Sequence, residues 1–454
     1  MIGVPQSRNR LIEKMGLFSR LGDAARQIRL FSLRDMAWQY AASFGVAIFG
    51  ALYILAAGRV LGPQDFGAYA LAMAVPTVVN ALFDYRIQEV SIVVLSEKAS
   101  AEDSARNMRS LFLFDVLART VAFGISVPAG FLVLRALGID VDPAVPWLAA
   151  LGVFGAKVGI GPAIGIMRLS GKIHKYALLQ SLDWALRLLG FGIVFLLGQA
   201  TVETAFLVQV PPAIVINLWI LYLARGIARR SYGPIPGLSG AADQLWIFYR
   251  ERSKLLFSSQ TISAVDSVVK ELDTLICGIF LSQHNVAVYK IAKSIAGMAW
   301  KCVDPIFVVI LPNVAAYVAD GKMAELSTIL KKTTIYLLAI ALFVYLAGWA
   351  LVYPLAHYVF GPEYSDVPSI YPLISLWIVV ALPFIWTHSV AIASGNAALQ
   401  AWSGLLGAGI GIAALVIGAA SWSLSGAALG LSVAYAAAFV ISWILLVKKK
   451  IVTW

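Results

Sequence analysis

Charged residues are scarce in this chain: of 454 residues, only 13% are Asp, Glu, Lys or Arg, whereas 60% are hydrophobic. With a mean hydropathy of +0.83, this composition excludes a soluble protein and predicts a polytopic membrane protein. The only two cysteines, Cys277 and Cys302, both fall inside predicted spans, which excludes a disulfide or metal framework. The first 35 residues lack the apolar core of a cleavable signal peptide.

Motifs for catalysis and nucleotide binding are also absent from the sequence. There is no Walker motif, no metal-ligand spacing and no plausible pair of nucleophile and base. We therefore expect neither an enzyme nor an ATP-driven pump, and no bound cofactor or metal. The formal net charge of +11 does not indicate nucleic acid, because the excess basic residues of a membrane protein lie mainly in its cytoplasmic loops.

The sequence does contain a series of apolar runs, each about as long as the roughly 20 residues that span a bilayer. The basic segment 1–35 precedes them, and its apolar residues recur at helical spacing, which indicates an amphipathic helix on the inner membrane surface or a partly disordered tail. We predict an N-lobe at 36–224, a cytoplasmic linker at 225–253, a C-lobe at 254–447 and a tail at 448–454. The predicted spans are 36–58, 66–96, 106–134, 146–169, 173–197, 202–224, 254–282, 286–318, 327–356, 367–394, 398–420 and 423–447.

The charges of the loops assign an orientation to these spans. With the N-terminus in the cytoplasm, the loops rich in Lys and Arg lie inside, and the outer loops hold only Arg59 and Arg135 as basic residues. This asymmetry follows the positive-inside rule and places both termini in the cytoplasm. The expected fold class is an all-α polytopic membrane protein with about 12 transmembrane helices.

The two lobes also resemble each other in sequence. Residues 58–61 and 69–72 match residues 278–281 and 289–292 at a constant offset of 220, with Gly, Leu, Tyr and Ala at the same relative positions. This offset carries the junction of spans one and two onto that of spans seven and eight. Because each lobe has an even number of spans, we expect two pseudo-symmetric six-helix bundles, related by an axis along the membrane normal, with a cargo site between them.

Ionisable residues inside the spans are the candidates for function, because placing them in a bilayer is costly. Lys290, Lys293 and Lys301 share one stripe of span eight, and such a stripe must face water, an anion or an acid. Lys290 and Lys293 have no acid one turn away, which favours a cavity, whereas Lys301 and Asp304 can neutralise each other. Lys157 also has no acid one turn away in its glycine-rich span.

Other charged residues of the spans lie one helical turn from an opposite charge, which gives them a structural explanation. These pairs are Asp115 with Arg119, Asp183 with Arg187, Asp266 with Lys270 and Arg86 with Glu89. The functional interpretation is a cationic cavity for an anionic cargo, because Arg and Lys suit phosphate. Its predicted members are Arg119, Lys157, Arg187, Lys290, Lys293 and Lys301.

Four motifs give the chain a family resemblance. They are Leu61-Gly-Pro-Gln-Asp-Phe-Gly-Ala-Tyr69, Val286-Ala-Val-Tyr289, Leu311-Pro312 and Phe360-Gly-Pro-Glu-Tyr364. In these motifs and in its twelve spans, the chain resembles the bacterial polysaccharide transporter family, the O-antigen flippase-like branch of the multidrug/oligosaccharidyl-lipid/polysaccharide (MOP) exporter superfamily. Where that family usually has a glycine late in span two, this chain has residues 84–87 without one.

The resemblance implies an alternating-access flippase of the cell inner (plasma) membrane. Its cargo would be polyprenyl-diphosphate-linked oligosaccharide for exopolysaccharide, capsule or O-antigen (lipopolysaccharide) synthesis, and its partners would be membrane lipids and polysaccharide polymerase or export machinery. Coupling to a proton or sodium gradient would involve Asp84, Glu89, Asp266 or Asp273. The alternatives are a multidrug or cation exporter, a lipid II flippase of the same superfamily, and a membrane assembly protein that transports nothing.

Overall fold

A computed structural model describes residues 33–97, 100–233, 241–301 and 320–452, together with residues 310, 314, 317 and 318. Within these ranges, the side chains of residues 33–43, 101, 241, 261–270, 397 and 398 are not described. The described part of the chain is helical and contains no β-strand. The predicted surface helix of residues 1–35 lies almost entirely outside the described residues.

The described residues form thirteen α-helices. They are α1 Leu33–Leu82, α2 Ile87–Ser96, α3 Ala101–Ala136, α4 Ala144–Lys157, α5 Ile160–Leu169, α6 Ile173–Leu196, α7 Val202–Tyr232, α8 Ala241–Phe280, α9 Gln283–Lys301, α10 Met323–Pro354, α11 Val367–Ala381, α12 Trp386–Ala393 and α13 Ala397–Lys448. A π-helical turn, Leu355–Phe360, and 3-10 turns at Pro362–Tyr364 and Leu382–Phe384 connect α10, α11 and α12. Two of the helices, α1 and α13, each comprise two helices joined at a kink, at Gly62 and at Trp422–Ser423.

Eight helical stretches of the described chain are long and apolar enough to cross a membrane. Two of them, Phe44–Ser96 and Leu399–Lys448, contain the kinks and therefore hold two predicted spans each. Predicted spans seven and eight correspond to α8 and α9, in which charged residues interrupt the apolar sequence. The all-α polytopic fold class is confirmed, and about 12 transmembrane helices are consistent with it.

Most of the predicted linker that the structure describes is helical. Helix α7 continues to Tyr232 and ends at Gly233, and α8 begins at Ala241, so the described parts of 225–253 are almost entirely helical. Phe248, near the start of α8, packs into the apolar cluster of the N-lobe. The first turns of α8 therefore contact the N-lobe before the helix continues into the C-lobe.

Two glycines show how the lobes meet. A β-carbon added to Gly58 would lie 3.2 Å from Ile291, and one added to Gly278 would touch Leu71. The offset of 220 carries Gly58 onto Gly278 and Leu71 onto Ile291, so the two contacts exchange when the lobes are interchanged. A twofold axis requires reciprocal contacts of this kind. The sequence repeat therefore corresponds to pseudo-symmetric packing.

Apolar packing joins the two lobes at one end of the molecule. At the predicted outer end, a single cluster includes residues of both lobes, among them Tyr69, Tyr289 and Phe360. At the predicted inner end, the cluster around Met167 holds N-lobe residues together with residues from the first half of α8, among them Phe248 and Leu256, and a separate cluster around Trp386 holds other C-lobe residues. The described conformation is therefore closed at the predicted outer end.

Candidate functional site

Predicted spans two and four are both interrupted partway along their length. Four residues separate the end of α1 at Leu82 from the start of α2, and the last of them, Arg86, has φ +46°. Between Lys157, the end of α4, and Ile160, the start of α5, Gly159 has φ +71°. A positive φ suits glycine and is uncommon for arginine. Such breaks free backbone N–H and C=O groups, which need polar partners inside a membrane.

One ion pair on α3 contacts both interruptions. Asp115 Oδ2 accepts the backbone N–H of Gly159 at 2.8 Å, at the break in span four. Arg119, one turn further along α3, lies 3.6 Å from Asp115 and 3.2 Å from Asp84 at the break in span two. Arg119 also donates to the backbone carbonyl of Asn80 at 3.3 Å and to its side-chain oxygen. The predicted pair of Asp115 and Arg119 is confirmed, and it is almost completely buried.

Carbonyl groups near the break in span four have a further partner on α7. The side-chain amide of Asn217 donates to the carbonyls of Gly155 and Val158, at 2.7 and 2.9 Å. Asn217 is only 3% exposed, so these bonds replace contacts that water would otherwise have to supply. Asn217 was not predicted from the sequence, although an amide inside the apolar run of span six, like Gln209 in the same span, is a usable signal.

Lys157 lies beside this buried cluster, at the last residue of α4. It is within electrostatic range of Asp84, Asp115 and Arg119, but it forms no ion pair with a described residue. Its side chain is exposed, and the N-terminus of α5 follows directly. A cation is favourable at the end of α4 in any case, and the start of α5 adds partial positive charge. The local geometry is suited to an anion.

In the C-lobe, acids of α8 pair with lysines of α9. Lys293 Nζ lies 2.8 Å from Asp273, and Lys290 Nζ lies 3.4 Å from Glu271. The hydroxyl of Tyr289 also donates to Asp273, at 2.8 Å. Lys290 and Lys293 have no acid one turn away in α9, as the sequence showed, but both have acidic partners on the neighbouring helix α8. Inspection of a single helix could not reveal these partners.

Arg187 is neutralised in a separate buried network. Its guanidinium donates to both oxygens of Asp183, at 3.0 and 2.7 Å, and to Gln209 at 3.5 Å, and it lies 4.9 Å from the ring centre of Trp184. Gln209 in turn donates to the hydroxyl of Tyr69 at 2.7 Å. The predicted helical pair of Asp183 and Arg187 is confirmed, and the network links α1, α6 and α7.

The lobes place equivalent polar pairs at equivalent positions. In the N-lobe, Tyr53 and Tyr69 are joined through shared partners: Tyr53 donates to the carbonyl of Ala205 at 3.4 Å, and Gln209 donates to that carbonyl and to the hydroxyl of Tyr69. In the C-lobe, Tyr289 donates directly to Asp273. The offset of 220 carries the first pair onto the second. The lobes therefore share an architecture, but only the C-lobe has a carboxylate at this position.

The remaining candidates are dispersed. Lys301 is exposed at the end of α9, and its predicted partner Asp304 lies outside the described residues, as does the side chain of Asp266. Glu89 lies in the first turn of α2 and accepts a bond from Gln88 at 3.1 Å. The structure therefore brings six of the described candidates into two groups, one in each lobe, with Arg187 in its own network and with Lys301 and Glu89 outside both groups. These groups are Asp84, Arg119 and Lys157 in the N-lobe, and Asp273, Lys290 and Lys293 in the C-lobe.

Helix α8 contacts span two at two levels. At the predicted inner end, Arg252 donates to both carboxylate oxygens of Glu97, directly after α2, at 2.6 Å each. This bidentate bond raises the pKa of Arg252 above its ordinary value. Further along α8, the amide of Gln260 donates to the carbonyl of Leu82, where α1 ends.

The architecture matches solved transporters. A multidrug resistance MATE family transporter of the MOP superfamily, in its inward-facing conformation, aligns with a TM-score of 0.62 and 16% identity over 91% of this chain and 94% of its own. This chain has the fold of the MOP transporters. The lipid II flippase MurJ in an inward closed conformation aligns with a TM-score of 0.63 and 13% identity, over 90% of this chain and 87% of its own.

An outward-facing MATE transporter of the same superfamily also aligns, with a TM-score of 0.59 and 16% identity, over 92% of this chain and 95% of its own. At such low identities the likeness shows the fold alone. No protein-family model and no curated protein sequence matches this chain. The structural neighbours are transporters and flippases rather than enzymes.

Proposed function

We propose that this protein is an alternating-access flippase that moves polyprenyl-diphosphate-linked oligosaccharide across the inner membrane for polysaccharide synthesis, with both termini in the cytoplasm. A fold shared with transporters, one of them a lipid flippase, supports this proposal, and so do the four sequence motifs. The observation that carries it is Lys157, an exposed cation without an ion pair among the described residues, beside a helix N-terminus in an interrupted span.

A diphosphate group is the anion that best suits this position. Its oxygens can accept bonds from an ammonium and from the N–H groups of a helix N-terminus, while the polyprenyl chain stays in the hydrocarbon. Lys157 would make the first contact. Lys290 would be the second, because its side chain and that of Glu271 are 23% and 31% exposed. Arg119, Arg187 and Lys293 would contact cargo only after exchanging their carboxylate partners.

Flipping can be measured in proteoliposomes with a fluorescent polyprenyl-diphosphate oligosaccharide and an impermeant glycosidase. Lys157→Ala is expected to lower the flipping rate about tenfold, because a charge-assisted contact contributes roughly 1.5–3 kcal/mol, whereas Lys157→Arg should retain most of the rate. Lys331→Ala is the matched control, because this exposed lysine of α10 lies near a predicted inner loop. Combined Ala substitutions at Lys157, Lys290 and Lys293 should lower the rate further.

The proposal has two parts, the flippase activity and the cationic site for diphosphate. A cargo with the same glycan and lipid but without phosphate tests them separately. Its flipping should be slow and unaffected by Lys157→Ala. Wild-type flipping of the diphosphate cargo by both Lys157→Ala and the combined Ala variant would rule out the cationic site while leaving the flippase in place. Transport of a cationic dye, together with inactivity on the diphosphate cargo, would instead favour a multidrug exporter.

A further inference from the structure

We infer that α2 and α5, the inner parts of spans two and four, form one rigid unit that swings within the N-lobe. We call this pair of helices the inner flap. Its hinges are the two interruptions, between Leu82 and Ile87 and between Lys157 and Ile160. This property belongs to the N-lobe itself and holds whichever cargo the protein carries.

The two helices of the inner flap pack closely on each other. A β-carbon added to Gly161 would lie 2.9 Å from Ile87 Cβ, and one added to Gly165 would lie 2.6 Å from Ser91 Cβ and 3.2 Å from the carbonyl of Gln88. Glycine at both positions allows the helix backbones to approach. Dense packing of this kind resists internal rearrangement, so the pair should move as one body.

The two hinges lie at the same turn of α3, where Asp115 contacts one break and Arg119 contacts the other. Neither break can form the regular hydrogen bonds of a helix, so its local conformation depends on this ion pair and on Asn217. Two hinges side by side allow two parallel helices to rotate together, whereas a single break would bend only one of them.

Helix α8 provides the link that would move the inner flap. Arg252 of α8 forms a bidentate ion pair with Glu97 at the tip of the inner flap, and Gln260 of α8 donates a hydrogen bond to Leu82 at one hinge. Because α8 continues into the C-lobe, a displacement of that lobe would pull on the tip of α2. The N-lobe would then bend at its hinges during alternating access rather than rotate as a rigid body.

Pairs of nitroxide labels can measure this movement by pulsed electron resonance in nanodiscs, after Cys277 and Cys302 have been replaced. One pair, Val93→Cys with Leu169→Cys, lies within the inner flap. The other, Leu169→Cys with Tyr222→Cys, joins the flap to α7. All three positions are exposed.

Two variants perturb the inner flap, Arg252→Glu at the tip and the isosteric Asp115→Asn at a hinge. Each should shift or broaden the distribution of the flap-to-α7 distance by several ångström. Each should leave unchanged the distance between the two labels within the inner flap. Adding Glu97→Arg should restore the distance in the Arg252→Glu variant, but not in Asp115→Asn. The inference is overturned if the internal distance changes together with the other one, or if the flap-to-α7 distance stays the same in both variants. Neither readout depends on transport.

Discussion

Two carboxylates that the sequence presents as equivalent have different surroundings. Asp273 is 2% exposed, and it holds the ammonium of Lys293 and the hydroxyl of Tyr289. Asp84 has a side chain that is 33% exposed, and it shares Arg119 with Asp115. A carboxylate that is the main partner of a buried cation is required for stability, whereas one that shares its cation can release it. Asp84 therefore fits a role in gradient coupling better than Asp273 does, and that role remains a proposal.

The contrast predicts a ranking of stabilities. Asp273→Asn should lower the free energy of unfolding by about 3 kcal/mol, because it removes the buried carboxylate that lies 2.8 Å from the ammonium of Lys293 and accepts the hydroxyl of Tyr289. Asp84→Asn should cost about 1 kcal/mol or less, since Asp115 still neutralises Arg119. Thermal unfolding in one detergent compares the two variants with the wild type. The reverse ranking would show that Asp84 is the structural carboxylate.

At the scale of elements, the interruptions of spans two and four allow the inner parts of these spans to pair. Gly165 lies where α5 approaches α2 most closely, against Ser91. Gly124, in the middle of α3, has no neighbouring atom within 4 Å of an added β-carbon. A methyl group should therefore fit at Gly124 but not at Gly165.

Alanine substitutions test this difference. Gly165→Ala should destabilise the protein by about 1–3 kcal/mol, because the methyl group overpacks against Ser91. Gly124→Ala should be neutral or stabilise it by up to about 1 kcal/mol, because alanine is the better helix former. Thermal unfolding of both variants measures the difference. Equal effects would contradict the close approach of α2 and α5.

The sequence predicts most elements but only part of the site. Apolar runs and loop charges are local signals, so they determine the helices, and pairs one turn apart, such as Asp115 with Arg119, can be read along a single helix. The bonds of Arg119 to Asp84 and of Lys293 to Asp273 join different helices and depend on how these pack. The break at Arg86 also could not be predicted from the sequence, because the residue with a positive φ there is an arginine and not a glycine.

At the scale of the whole molecule, closure of the predicted outer end depends on equivalent contacts from the two lobes. Gly58 meets Ile291, and Gly278 meets Leu71. The hydroxyl of Tyr364 adds a bond to the carbonyl of Gly58 at 2.8 Å. Because these contacts join the lobes, larger side chains at either glycine should favour the state in which the lobes separate at this end.

Gly58→Val and Gly278→Val should each shift the protein toward the conformation open at the predicted outer end. Overpacking of about 1.4 kcal/mol corresponds to a tenfold change in the equilibrium. The readout is labelling of Ala287→Cys, a fully buried position of α9, by an impermeant maleimide added outside cells that lack the native cysteines. Gly192→Val is the matched control, because nothing lies within 4 Å of its β-carbon. Pseudo-symmetry requires labelling to increase by similar amounts in both variants. An increase in only one of them would mean that the two contacts do not stabilise the closed outer end equally.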